Sequence, residues 1–160
     1  MIKKVFLMVL PLLLAQNFIF GMETVQSKQD VAAPDFTVVD LKDNKVSLSD
    51  FQNKPVLLFF WTTWCPYCRQ EMSVLNEKAA QLAKDGVSIL PTNVGENAAK
   101  VRNFVNSRKI NLRVYLDEDT VAAKSFDVLG VPTYVLINSK GIIAFKGHTF
   151  PNEYGKMIAK

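Results

Sequence analysis

Two cysteines three positions apart, Cys65 and Cys68, are the residues of this 160-residue chain whose type and spacing point most directly to chemistry. A helical turn takes about 3.6 residues, so a cysteine at a helix start and another three positions on share one side and can close a small disulfide ring. A helix start offers unpaired N–H groups and the positive end of the peptide dipole, which favours thiolate over thiol at Cys65. Cys65 is therefore the predicted nucleophile and the exposed member of the pair. Cys68, one turn further in, is the predicted resolving thiol, which attacks a mixed disulfide on Cys65 and releases the product. Pro66 suits the first helical position, where its missing N–H costs nothing and its φ is already helical.

Other uses of the pair have less behind them. A four-ligand zinc site cannot be filled, because the chain has no third cysteine and a single histidine, His148. A structural disulfide across so short a loop would constrain the unfolded chain little. No metal and no separate cofactor is expected; the redox group is the Cys65–Cys68 disulfide itself. A copper-carrying module using Cys65, Cys68 and His148 is a reading of another class, yet nothing in the sequence brings His148 toward the thiols.

The pair needs a strand before it and a helix after it. Pro55 to Trp61 is continuously apolar, the pattern of a central strand covered on both faces. From Pro66 to about Lys84, Met72, Leu75, Ala79 and Leu82 recur three and four apart, which predicts a helix with one buried stripe. Val87–Leu90 is the next strand, parallel to the first, and Gly95-Glu96-Asn97 leads into a helix carrying Ala98, Val101, Phe104 and Val105. This order implies a βαβ core. Upstream, Phe36–Val39 and Val46–Leu48 flank a turn at Asp43-Asn44, a predicted hairpin in which Asn supplies the left-handed conformation. One helical turn is expected at Ser49–Phe51. Downstream come a strand at Asn111–Leu116, N-cap candidates at Asp117–Thr120, and a short helix at Val121–Asp127. Tyr134–Ile137 and Ile142–Lys146 form an antiparallel hairpin at the far edge. A closing helix over Pro151–Lys160 places Tyr154 and Ile158 inward.

With 49% hydrophobic residues the chain supports one domain with a substantial core. Lys3 and Lys4, an apolar run from Val5 to Ala15, and Gly21 describe a secretory signal over residues 1–21, with an uncleaved membrane anchor as the alternative. Residues 22–33 are polar and read as a flexible tether, and the domain occupies 34–160. Either way the domain works outside the cytoplasm, in the periplasm or its equivalent. Without Lys3 and Lys4 the chain keeps 17 basic and 15 acidic residues, spread without a dense cluster, so no nucleic-acid partner is expected.

The chain resembles the thioredoxin superfamily and, within it, the extracytoplasmic TlpA/ResA group of thiol–disulfide oxidoreductases. The likeness rests on the Ala33-Pro34-Asp35-Phe36 opening, the run from Phe60-Trp61 through Trp64-Cys65-Pro66-Tyr67-Cys68-Arg69 to Glu71-Met72, and Gly130-Val131-Pro132-Thr133. It implies a thioredoxin-like three-layer α/β/α fold with a central mixed sheet, an N-terminal β-hairpin extension and a central helix-strand insertion after Val94. It also implies that Pro132 is the family's cis-proline, bringing the Val131 backbone beside Cys65 to pair with an extended substrate. By the same resemblance Glu71 tunes the thiols or moves protons, and Trp64, Pro66 and Tyr67 form the substrate-facing rim. Two departures stand out: Phe59 occupies the place of thioredoxin's buried aspartate, and proline follows the first cysteine rather than preceding the second.

The activity so implied is reduction of protein disulfides, for example the haem-attachment cysteines of c-type apocytochromes, by a monomer recharged by a membrane electron donor of the CcdA/DsbD type. A DsbA-type oxidase is the runner-up, although the chain lacks room for that group's large helical insertion. A peroxiredoxin-like role has Thr62 three before Cys65 in its favour, but Leu58 stands where that motif has proline.

Overall fold

The computed structural model describes residues 30–159. The leader expected over 1–21 and most of the tether lie outside the described residues. The elements run β1 (Thr37–Asp40), β2 (Lys45–Ser47), a 3-10 turn (Leu48–Phe51), β3 (Val56–Trp61), α1 (Pro66–Lys84), β4 (Ser88–Val94), α2 (Ala98–Ser107), β5 (Tyr115–Asp117), α3 (Val121–Ser125), β6 (Thr133–Ile137), β7 (Ile143–Gly147) and α4 (Tyr154–Ile158). Among these, no helix is long and apolar enough to cross a membrane.

All seven strands join one mixed sheet in the order β2-β1-β5-β4-β3-β6-β7. β3 is central, parallel to β4 and antiparallel to β6, and each of its residues is buried. The unbroken apolar run has a simple cause. Leu57, Phe59 and Trp61 enter a core shared with α1, α2 and α4, while Val56, Leu58 and Phe60 enter one shared with α3 and the 3-10 turn. Two cores on two faces of one sheet make the three-layer thioredoxin-like fold, with β1–β2 as the N-terminal hairpin and α2–β5 as the insertion.

Three expectations about local structure need correction. The strand expected at Asn111–Leu116 is confined to Tyr115–Asp117: β1 turns away after Asp40, the partner of Tyr115, and Arg113 is drawn to the Asp40 carboxylate instead. In the hairpin turn the left-handed residue is Asp43, at φ 63°. Asn44 is engaged otherwise, its side-chain amide donating to both carboxylate oxygens of Asp40 at 3.1 and 2.9 Å. The tether does not run free to Ala33: the Ala33 N–H donates to the Gly141 carbonyl at 2.8 Å, and Ile143 N–H to the Val31 carbonyl at 2.9 Å. An edge strand exposes unpaired backbone groups, and Val31–Ala33 satisfies those at the start of β7.

Candidate active site

β3, β4, β5 and β7 end, and β6 begins, at the same edge of the sheet. The chain segments crossing that edge therefore converge on the residues after Trp61. Cys65 is the N-cap of α1, with Pro66 at the first helical position. The cap is made by sulfur: Cys65 Sγ accepts the Cys68 N–H at 3.2 Å, satisfying one of the orphan donors of the first turn. The second sulfur is thereby kept on the same side as the first. Both cysteines are free thiols.

Cys65 is less open than its spacing suggests. It is 4% exposed and Cys68 is 0% exposed. The expectation of an exposed nucleophile is corrected by the Val131–Pro132 loop, which lies against it: the Cys65 thiol donates to the Val131 carbonyl across 3.7 Å. The Val131–Pro132 peptide is cis. Burial pushes the Cys68 thiol up to about 12, and its hydrogen bond to Cys65 adds to the rise. Cys68 therefore holds its proton in the reduced protein.

The apolar side chains beside Cys65 in the chain stand out of the surface. Trp64 is 63% exposed, Tyr67 70%, and Leu129, in the loop leading to Val131, 100%. Exposed large apolar side chains on the segments that flank Cys65 suit contact with a partner surface. Leu129 was not singled out from the sequence, where an apolar residue beside Gly130 reads as ordinary loop core. Pro66 is exposed, Val131 half-buried and Pro132 buried.

Glu71 sits half-buried on α1, and its carboxylate accepts the Phe150 N–H at 3.2 Å. Its backbone carbonyl accepts the hydroxyl of buried Tyr134 at 3.4 Å. Burial raises the Tyr134 hydroxyl far above its ordinary value, and the charges of Glu71 and then Cys68 add to it. Glu71 therefore touches Tyr134 and the Phe150 backbone rather than either sulfur.

The carboxylate that reaches the cysteine loop is Glu96, which sequence reasoning passed over as part of a helix lead-in. It is buried, and its two oxygens accept the Thr63 N–H at 2.6 Å, the Thr63 hydroxyl at 2.7 Å and the Asn93 amide at 2.8 Å, while Lys100 Nζ pairs with it at 2.7 Å. Burial works to raise its pKa. Lys100, the Thr63 N–H and Asn93 together outweigh that and hold it below its ordinary value. Thr63 lies two residues before Cys65, so this ionised group fixes the backbone on which the nucleophile stands. The available signal was Glu96 four before Lys100, next to the Asn97 cap.

His148 does not approach the thiols as a ligand: its Nδ1 lies 2.7 Å from the Pro132 carbonyl. Among the described residues no cluster of three His, Cys, Asp or Glu side chains is placed to hold an ion.

A family model described as AhpC/TSA family matches residues 30–146. The chain is 36% identical over 126 residues to the thiol-disulfide oxidoreductase ResA of Bacillus subtilis (strain 168), covering 78% of this chain and 69% of that protein. With ResA of Bacillus thuringiensis subsp. konkukian it shares 35% over 123 residues, 76% of this chain and 71% of the relative. Among solved structures, the thioredoxin domain of a thiol-disulfide oxidoreductase from Bacteroides vulgatus superposes with a TM-score of 0.70 at 28% identity, covering 79% of this chain and 93% of that one. A putative thiol:disulfide interchange protein DsbE from Chlorobium tepidum gives 0.72 at 25%, covering 81% and 94%.

Proposed function

The chain belongs to the AhpC/TSA family, beside the ResA thiol–disulfide oxidoreductases, and from that premise we propose that it runs in the reducing direction on protein disulfides outside the cytoplasm. Cys65 attacks a substrate disulfide and forms a mixed disulfide, and one substrate sulfur leaves as thiolate. Cys68 then gives up its proton, attacks Cys65 Sγ, closes the Cys65–Cys68 disulfide and frees the second substrate sulfur. Two electrons have passed to the substrate, and an external dithiol must return them; a membrane electron donor of the CcdA/DsbD type fits that need. The leader pattern at residues 1–21 supports the location, and the exposed side chains of Trp64, Tyr67 and Leu129 support a macromolecular substrate, for which the haem-attachment cysteines of apocytochromes are the favoured case.

The observation that supports the reductant over a DsbA-type oxidase is the connection between β5 and β6: it holds only the five-residue α3 (Val121–Ser125), where the oxidase group carries a large helical insertion. The test is the equilibrium potential of the pair against dithiothreitol and glutathione. The reductant reading expects about −250 mV or lower, and a value above about −150 mV would replace it with the oxidase. In the same preparation Cys65→Ser abolishes insulin reduction and Cys68→Ser accumulates mixed disulfides; equal turnover in the two variants removes the assignment of roles.

A further inference from the structure

We propose that His148 is a positioning residue for the substrate-pairing loop Gly130–Thr133, which it fixes through a hydrogen bond from Nδ1–H to the Pro132 carbonyl. The nitrogen lies 2.7 Å from that oxygen. A carbonyl oxygen only accepts, so the bond requires the hydrogen to be on Nδ1. The other neighbour imposes the same condition. Nδ1 also lies 3.5 Å from Thr133 Oγ1, whose own hydrogen goes to the Gly130 carbonyl at 2.7 Å, so that hydroxyl can only accept from the ring. Both neighbours select the Nδ1–H form, whatever Nε2 carries.

The placement of this bond gives it a function. The carbonyls of Gly130 and Pro132, on either side of Val131, are tied back by Thr133 and His148. The Val131 carbonyl between them is the one that lies 3.7 Å from Cys65 Sγ. An extended substrate adding itself as a strand would use the Val131 backbone. A loop whose flanking peptides are already held loses less freedom when that strand arrives, so binding is stronger for the same contacts. His148 is supplied from the end of β7, directly after Gly147, and so carries the fixed position of the sheet edge into the loop. This inference rests on Val131 being the substrate-pairing edge.

The chain holds one histidine, so the imidazole 15N spectrum of the full chain reports this ring alone. The expected result is a hydrogen on Nδ1; an Nδ1 that carries none overturns the proposal. Kinetics supply the second arm. His148→Asn can present an amide N–H where Nδ1–H was, His148→Gln places it one bond too far, and His148→Ala has none. The Ala and Gln variants should raise KM for insulin disulfides by about fivefold, the worth of one net hydrogen bond, with Asn within about twofold of the parent. All three should react unchanged with a small aromatic disulfide, 5,5′-dithiobis(2-nitrobenzoate), which needs no strand pairing. An unaltered KM in the Ala variant, failure of Asn to restore it, or an equal loss toward both disulfides overturns the positioning role. A parent protein active on the aromatic disulfide but inert toward insulin would remove the protein-disulfide reading, and the proposal with it, while the ring spectrum stayed as expected.

Discussion

Two buried carboxylates stand where two strands end, one on β1 and one just past β4, and they are used differently. Asp40, at the end of β1, accepts from the N–H groups of Lys42 and Asn44 at 2.8 and 2.9 Å, from the Asn44 amide, and from Arg113, whose guanidinium comes within 2.7 Å. Glu96, just past β4, holds Thr63, Asn93 and Lys100. Both are ionised, fully partnered and almost without solvent. The difference is reach. Apart from Arg113, Asp40 closes its own turn, within four residues; Glu96 reaches back thirty-three residues to the backbone beside the nucleophile. The same physical device, a carboxylate saturated with donors, stabilises a corner of the fold in one place and the geometry of a sulfur in the other.

The comparison is broken most directly at Glu96. In Glu96→Gln the amide cannot accept from all the groups the carboxylate serves, and Lys100 loses its counter-charge, so stability should fall by about 2 kcal/mol. Because Thr63 is released, exchange with disulfides should also slow by about tenfold. Chemical denaturation and insulin turnover measured on one sample check both. Stability loss without slower turnover would put Glu96 in the same class as Asp40.

Asp40→Asn gives the contrasting case and the smaller total effect. It should cost about 1 to 2 kcal/mol, moderated because Arg113 is half-exposed, and leave turnover unchanged. Its pH signature has a definite sign. The Asn44 amide, followed by the Asn44 and Lys42 N–H groups and Arg113, holds Asp40 well below its ordinary value of 3.8. A carboxylate depressed in the folded state contributes stability that is complete above that ordinary value and is lost as pH falls below it. Urea midpoints for the parent should therefore fall with pH below about 3.8, and less steeply in Asp40→Asn. A parallel slope would show that the contribution lies elsewhere, with Glu96, also depressed, the next to examine.

What the sequence disclosed and what it withheld divides along the same line. The apolar run of β3, the stripe of Met72, Leu75 and Leu82 and the spacing of Cys65 and Cys68 are local patterns, and local patterns are readable because strand and helix periods are fixed. Glu96 contacts Thr63, His148 contacts Pro132, and Val131 covers Cys65. These pairings link residues brought together by strand order, and no spacing encodes them. The burial of Cys65 was missed for this reason: the helix start was legible, while the loop sixty-six residues away that lies against it was not. Ile110, Leu112 and Val114 show the converse. They alternate as a strand would, yet they pack on the core outside the ladder, which on that side stops where β1 turns away at Asp40.

Glu71 is the third carboxylate in this comparison, and the smallest effect is expected there. Its side chain accepts one N–H, from Phe150 at 3.2 Å, and a glutamine oxygen can accept the same bond, so Glu71→Gln should alter stability by less than about 0.5 kcal/mol. Its charge acts on Tyr134, and Tyr134 in turn lies close enough to Cys68 to feel that thiolate. Removing a negative charge eases ionisation of its neighbours, so the Cys68 titration should move down from about 12, with the thiolate fraction at fixed pH rising by less than about tenfold. The pH dependence of Cys68 alkylation in a Cys65→Ser background measures it. A larger change would mean that Glu71 acts on the sulfur pair directly and belongs with Glu96. No change would leave it an anchor for the loop at Phe150, the part that Asp40 plays at the end of β1.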